Sequence, residues 1–288
     1  MQNNTDEGRF LMKSNQKADA FMRMGIGDSI TARLLSMRCQ EARTQALLNQ
    51  DYASVISRRD GSSLCFCVCD GVGSSYRGDF AAHYLATQLI EWLHQLNEIP
   101  RDPDRFSIAL HAYLDQWAYE AQIRLKQIPI PPKAPALVRE VLEDLRDTYG
   151  SETVFLGGRI DSGAWSNRPG VVHPIQALFC WMGNVTAHLL ITADRRISLG
   201  GQSDKEGRWS TLHGRRGVVT TRSIPLSTID RITIHTDGLD AIGGKLAMLT
   251  DNEWNVQAQR LLLSSRNDDM TALELQWMRE KPGEEHML

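Results

Sequence analysis

Long apolar runs are missing from this 288-residue chain. No stretch approaches the roughly 18 consecutive apolar residues that a membrane span requires. Met1 to Gly25 mixes charged and amide side chains with scattered apolar ones, and lacks the continuous apolar core of a signal peptide. The expectation is a cytoplasmic protein with no membrane partner. Cysteine is scarce: Cys39, Cys65, Cys67, Cys69 and Cys180 make an odd count of five with no CxxC pair. That argues against a disulfide framework or a zinc knuckle. Neither sign of charge dominates, since 32 basic against 35 acidic residues leave a net charge of −3. Nothing there advertises a nucleic-acid-binding surface. Internal repeats and low-complexity blocks are absent too.

What is present reads as one large folded domain. Residues 1–27 form a polar lead-in, 28–279 the domain, and 280–288 a charged C-terminal tail. Residues 28–70 read as strands broken by turns. Arg58 to Ser62 is a turn signal between Tyr52–Ile56 and Leu64–Cys69, which makes a hairpin. Its second strand is apolar on both faces, so it belongs inside a sheet. Cys65, Cys67 and Cys69 alternate on one face of that strand. Three such thiols could hold a soft metal, but cysteine often serves as a small buried apolar residue.

Helical spacing follows, with Asp79 as N-cap and a helix to about Leu96. Further helices are expected over Pro103–Gln127, Ala136–Tyr149 and Trp254–Ser264. Strands are expected over Thr153–Ile160, Ala177–Met182, Thr186–Thr192, Arg231–Thr236 and Thr271–Trp277. Segments 161–174 and 200–217 read as surface loops. Strands, then long helices, then more strands point to α+β packing.

Four aspartates stand at strand ends. Asp51 opens the hairpin, Asp70 ends the apolar strand, Asp237 ends a later one, and Asp268 precedes the last. A carboxylate beside a buried strand is costly unless it is paired or holds a cation. Gly71 and Gly238 follow two of them and permit sharp turns and close approach of backbone carbonyls. Such oxygen ligands suit Mg²⁺ or Mn²⁺. Asp-Gly is also an ordinary turn dipeptide, and spacing alone leaves both readings open.

Order and context add a resemblance. Asn49-Gln50-Asp51, then an apolar strand ending Asp70-Gly71-Val72-Gly73, then Arg77-Gly78-Asp79-Phe80-Ala81-Ala82 opening a helix, resembles the protein phosphatase 2C family. Gly150-Ser151-Glu152-Thr153 resembles that family's Gly-Ser/Ala-Thr-Thr. Trp181-Met182-Gly183-Asn184 resembles Val-Gly-Asp-Ser-Arg, Thr236-Asp237-Gly238-Leu239 resembles Ser-Asp-Gly-Leu, and Asp268-Asp269-Met270-Thr271 resembles Asp-Asn/Asp-x-Thr. The resemblance spans about residues 30–278.

It implies a four-layer αββα sandwich, two antiparallel sheets flanked by helices, and a metal-dependent protein serine/threonine phosphatase. It implies two Mn²⁺ or Mg²⁺ ions. Asp70 would bridge them, the Gly71 carbonyl would hold one, Asp237 and Asp268 would complete the other, and Asp51 would act largely through metal-bound water. A water activated between the ions would attack phosphorus in line. The implied partners are a phosphorylated protein substrate and a cognate Ser/Thr kinase, within signal transduction.

Three departures from the family pattern matter for the site. Asn184 stands where an Asp usually helps bind a third metal, and neutral Asn is a poorer ligand. Ala241 replaces a second Asp, with Asp240 one residue early. The phosphate-gripping arginine lacks its usual spacing, and Arg43 is a better candidate for it than Arg38. These departures keep a second reading open: a catalytically weak or inactive phosphatase-like regulator. An adhesion module of the von Willebrand type would need Asp-x-Ser-x-Ser after its first strand, and a haloacid-dehalogenase phosphatase would need Asp-x-Asp. Neither pattern is found at Asp70 or Asp237.

Overall fold

Leu64, Phe66 and Val68 project to one face of strand β5 (Ser63–Gly71), and Cys65, Cys67 and Cys69 to the other. All six are buried. A strand covered on both sides has to lie inside a sheet. It pairs antiparallel with β4 (Tyr52–Arg58) on one edge and β6 (Glu152–Ala164) on the other. The computed structural model describes residues 9–27, 29–164, 172–192, 195–201, 207–263 and 268–277. The segment expected as a charged tail, 280–288, lies outside the described residues.

Two antiparallel sheets result. The first runs β1 (Arg9–Lys13), β4, β5, β6, then divides. The start of β6 pairs with β10 (Arg208–Ser210), which pairs with β11 (Gly214–Arg216). The rest of β6 pairs with β7 (Val172–Met182), which carries β12 (Thr220–Pro225) on its other edge. The second sheet runs β2 (Ala20–Ile26), β3 (Ile30–Met37), β14 (Met270–Trp277), β13 (Arg231–His235), β8 (Thr186–Thr192) and β9 (Arg195–Gly200).

The sheets pack face to face through Leu34, Val55, Phe66, Leu156, Phe179, Ile234 and Leu273. Full burial of each such side chain contributes roughly 1.5–3 kcal/mol. The cysteine face of β5 packs instead against α2 (Gly78–Gln95), through Leu85 and Leu89. Helix α3 (Pro103–Lys126) closes the same layer, with Phe106 stacked on Trp92 at 5.3 Å. The second sheet backs onto α5 (Asp251–Leu262) through Leu35, Trp254 and Leu262. Helix, sheet, sheet, helix is the αββα sandwich expected.

The thiols of β5 are core. All five cysteines are free, and burial pushes Cys65 up to about 12. A thiol held protonated in an apolar layer packs as a small hydrophobe.

Several segments differ from the sequence reading. Residues 9–26, read as lead-in, supply β1 and β2, an edge strand to each sheet. Edge strands are only half-covered, so their composition stays mixed and mimics a polar tail. A five-residue helix, α1 (Gln40–Thr44), interrupts the region read as strands. Residues 208–216, read as loop, form the short ribbon β10–β11. Helix α2 starts one residue before Asp79, after Arg77 in the left-handed region at φ 56°. Helix α4 (Ala136–Thr148) is where expected, yet none of its 13 residues is buried.

Candidate functional site

Asp51 precedes β4 and Asp70 sits one residue from the end of β5, so neighbouring strands carry them to one end of the first sheet. Asp237 follows β13 and opens a tight turn over Asp237–Leu239, while Asp268 lies two residues before β14. Those strands are neighbours in the second sheet. The sandwich brings both ends together. A cleft of about 520 Å³ opens there, lined by Gln50, Asp70, Gly71, Asn184, Arg208, Asp237 and Asp268 among others.

Asp51 lies deeper, buried beneath the cleft. Its Oδ2 accepts a hydrogen bond from Thr236 Oγ1 at 2.7 Å, and Thr236 Oγ1 accepts one from the Thr271 amide at 3.0 Å. One hydroxyl thus ties the end of the first sheet to two strands of the second. Asp269, beside Asp268, accepts from the amides of Cys39 and Gln50, each at 2.6 Å. It clamps the start of α1 and the approach to Asp51 against β14.

The carboxylates meet in pairs. Asp51 lies within hydrogen-bonding reach of Asp70, and Asp237 of Asp268. Burial, then the charges of Asp237 and Asp268, raise Asp70 well above the usual carboxylate range. Burial, then Asp70 and Asp269, do the same to Asp51, against the lowering bond from Thr236. Asp268 faces solvent on one side, but its partial burial and then Asp237 lift it to about 6. Among the described residues, no three Asp, Glu, His or Cys side chains form a ready-made coordination shell. Asp51 turns an oxygen to Thr236, and Asp237 turns one to Asn184 Nδ2 at 2.8 Å.

Gly71 is fixed by contact. A Cβ there would lie 2.5 Å from the Gly78 carbonyl carbon and 2.6 Å from the Gln50 oxygen. Backbone fills the space that a side chain would take, so no flexible group can yield.

Arg43 does not reach the cleft lining. Its Nη2 lies 2.9 Å from Asp19 Oδ2, and Arg38 Nε lies 3.4 Å from the same carboxylate. Sequence reasoning missed Arg208, which does line the cleft. It also gave no role to Thr236 and Asp269, though both stand inside the quoted motifs. Arg208 carried no signal, because its segment reads as loop. His188 and His235 pair behind the site, Nε2 to Nε2 at 3.4 Å, and burial, then His235, lowers His188 to about 4.

No protein-family model matches the chain, and no curated protein matches its sequence. Solved structures do. The serine/threonine phosphatase Stp1 from Staphylococcus aureus aligns with a TM-score of 0.58 and 12% identity, over 90% of this chain and 99% of that one. A bacterial serine phosphatase aligns at 0.57 and 12%, over 87% and 98%. RsbX in complex with magnesium aligns at 0.50 and 15%, over 90% and 100%. The chain shares the fold of these three proteins.

Proposed function

We propose that this chain is a metal-dependent phosphoprotein phosphatase that hydrolyses phosphoserine and phosphothreonine. One observation carries the reading: Asp51, Asp70, Asp237 and Asp268 converge from two sheets at one end of a fold shared with serine/threonine phosphatases. Carboxylates raised by burial and then by one another are destabilising unless something offsets their charge.

The donor set fits a hard divalent cation. Its side-chain donors are all oxygens, Gly71 brings backbone into close contact, and Asn184 Oδ1 is buried with no hydrogen-bond partner among the described residues. Asp70, Gly71, Asp237 and Asp268 would hold Mg²⁺ or Mn²⁺, with Asp51 behind them. Bound there, the cations would lower the pKa of water and offset charge developing on the phosphoryl oxygens. The magnesium of RsbX supports the choice of ion class. Thr236 holds Asp51 in one orientation, and Asp269 keeps the Gln50–Asp51 backbone at the cleft floor. Asn184 donates to Asp237 and fixes that carboxylate.

Phosphoprotein substrates, a cognate kinase and a cytoplasmic signalling role extend the same reading. No helix among the described residues is long and apolar enough to cross a membrane. A second reading, binding without turnover, draws on Asn184, which occupies an oxygen of Asp237 that a cation would otherwise take.

Hydrolysis of p-nitrophenyl phosphate separates the two. The expected result is turnover with Mn²⁺ or Mg²⁺, none with EDTA, and a loss of at least about 100-fold in Asp70→Ala and Asp237→Ala. Turnover that persists in EDTA overturns the metal dependence, and a folded wild-type protein that shows no turnover with either metal overturns the phosphatase reading.

A further inference from the structure

Arg208 is the one cationic side chain among the described residues lining the cleft, which also presents Glu41, Asp70, Asp237, Asp268 and Asp269. Register explains its position. Asp70 pairs with Val154 across β5 and β6, and Thr153 pairs with Trp209 across β6 and β10. One residue further, that second register sets Arg208 beside Val154. Asp70, Val154 and Arg208 therefore form a row across three strands, and all three line the cleft. Strands lie about 4.8 Å apart, so the Arg208 backbone stands roughly 10 Å from that of Asp70. A phosphoryl group bound at the carboxylates falls within reach of its side chain.

Arg208 also faces Arg216 directly across β10 and β11. Like charges opposite one another destabilise a ribbon. Glu152 answers both: Oε2 lies 3.3 Å from Arg208 Nε, and Oε1 lies 2.9 Å from Arg216 Nη1. The Glu152 side chain is 3% exposed, whereas Arg208 keeps 32% of its side chain open. Two guanidinium groups on one buried carboxylate leave a single positive charge, at the cleft wall. Glu152 is also the residue of Gly150-Ser151-Glu152-Thr153 that departs from Gly-Ser/Ala-Thr-Thr.

We propose that Arg208 grips the phosphoryl oxygens of the substrate, and that Glu152, backed by Arg216, is the positioning residue that aims it. A planar guanidinium matches phosphate geometry with paired donors. The proposal rests on the phosphatase reading and supplies the arginine that Arg43, held by Asp19, does not bring to the cleft.

The test uses the full chain with Mn²⁺ and five variants: Arg208→Ala, Arg208→Lys, Glu152→Gln, Arg43→Ala and the double variant of Glu152→Gln with Arg208→Ala. The readouts are KM for p-nitrophenyl phosphate and the inhibition constant of inorganic phosphate, with melting temperature as the fold control. Arg208→Ala is expected to raise both constants at least tenfold, and Arg208→Lys to recover part of that loss. Glu152→Gln raises them several-fold, and combined with Arg208→Ala it adds nothing, because both act through one guanidinium. Constants that stay within twofold in Arg208→Ala, or in Arg208→Lys should the alanine variant not fold, overturn the proposal. So does a loss that follows Arg43→Ala instead. If wild type shows no turnover, the phosphatase reading fails by itself. Calorimetry of inorganic phosphate with Mn²⁺ then decides the Arg208 site: weaker binding in the variant supports it, and equal or no binding by wild type and variant overturns it.

Discussion

Burial and the neighbouring Asp237 and Asp268 hold the Asp70 carboxyl well above its ordinary range. Raised in the folded state, it binds its proton more tightly there than in the unfolded chain. Its contribution to stability is therefore complete at low pH and is lost as pH rises through the folded value. For Asp268 that window runs from 3.8 to about 6. At pH 7.5 without metal, the site works against the fold. Asp70→Asn removes one charge at nearly the same volume. In EDTA it is expected to melt about 3 °C above wild type at pH 7.5, an advantage that shrinks toward pH 5. Scanning calorimetry at the two pH values checks this. A variant less stable than wild type at both would mean that the carboxylate is satisfied without a cation.

Helix α5 shows how an element can be fixed by its first turn. Thr250 Oγ1 accepts from the Glu253 amide, and the Glu253 carboxylate accepts from the Thr250 amide. This reciprocal pair starts the helix at Asp251, three residues before the apolar spacing at Trp254 announces it. Thr250→Ala is expected to lower stability by about 1 kcal/mol, read as a lower urea midpoint, with turnover per folded molecule unchanged. The same contrast marks what could be read in advance. Strands β5 and β13 were legible because both are apolar runs that stop at Asp-Gly or Thr-Asp-Gly. Asp51, Asp70, Asp237 and Asp268 were legible with them, since strand ends at one edge converge. Strands β1 and β2 were not, because an edge strand with one half-covered face has the composition of a tail. The ribbon β10–β11 was not, because three-residue strands are too short to show a period. Arg208 was hidden for that reason, and the pairing of Arg43 with Asp19 left no mark in the sequence.

Across the whole molecule, the acidic end joins the two sheets, so a cation there would bind the folded chain and not the unfolded one. Such binding stabilises by mass action, about 2.7 kcal/mol at one hundred times the dissociation constant. Mn²⁺ at that excess is expected to raise the melting temperature by about 5–10 °C at pH 7.5. Asp237→Ala should show little of the rise. An equal rise in the variant would place the bound cation elsewhere.

Strand β3 lies between β2 and β14, and those partners are far apart along the chain. A ribosome adds about 5–20 residues per second, so β3 waits roughly 10–50 s for β14 to emerge. Through that interval the β2–β3 hairpin has an uncovered apolar face and an open edge, which is the surface that a chaperone would engage. Asp268 arrives only with β14. A nascent chain thus has no complete acidic centre until the second sheet can close, and the order of synthesis itself keeps partial products from assembling one.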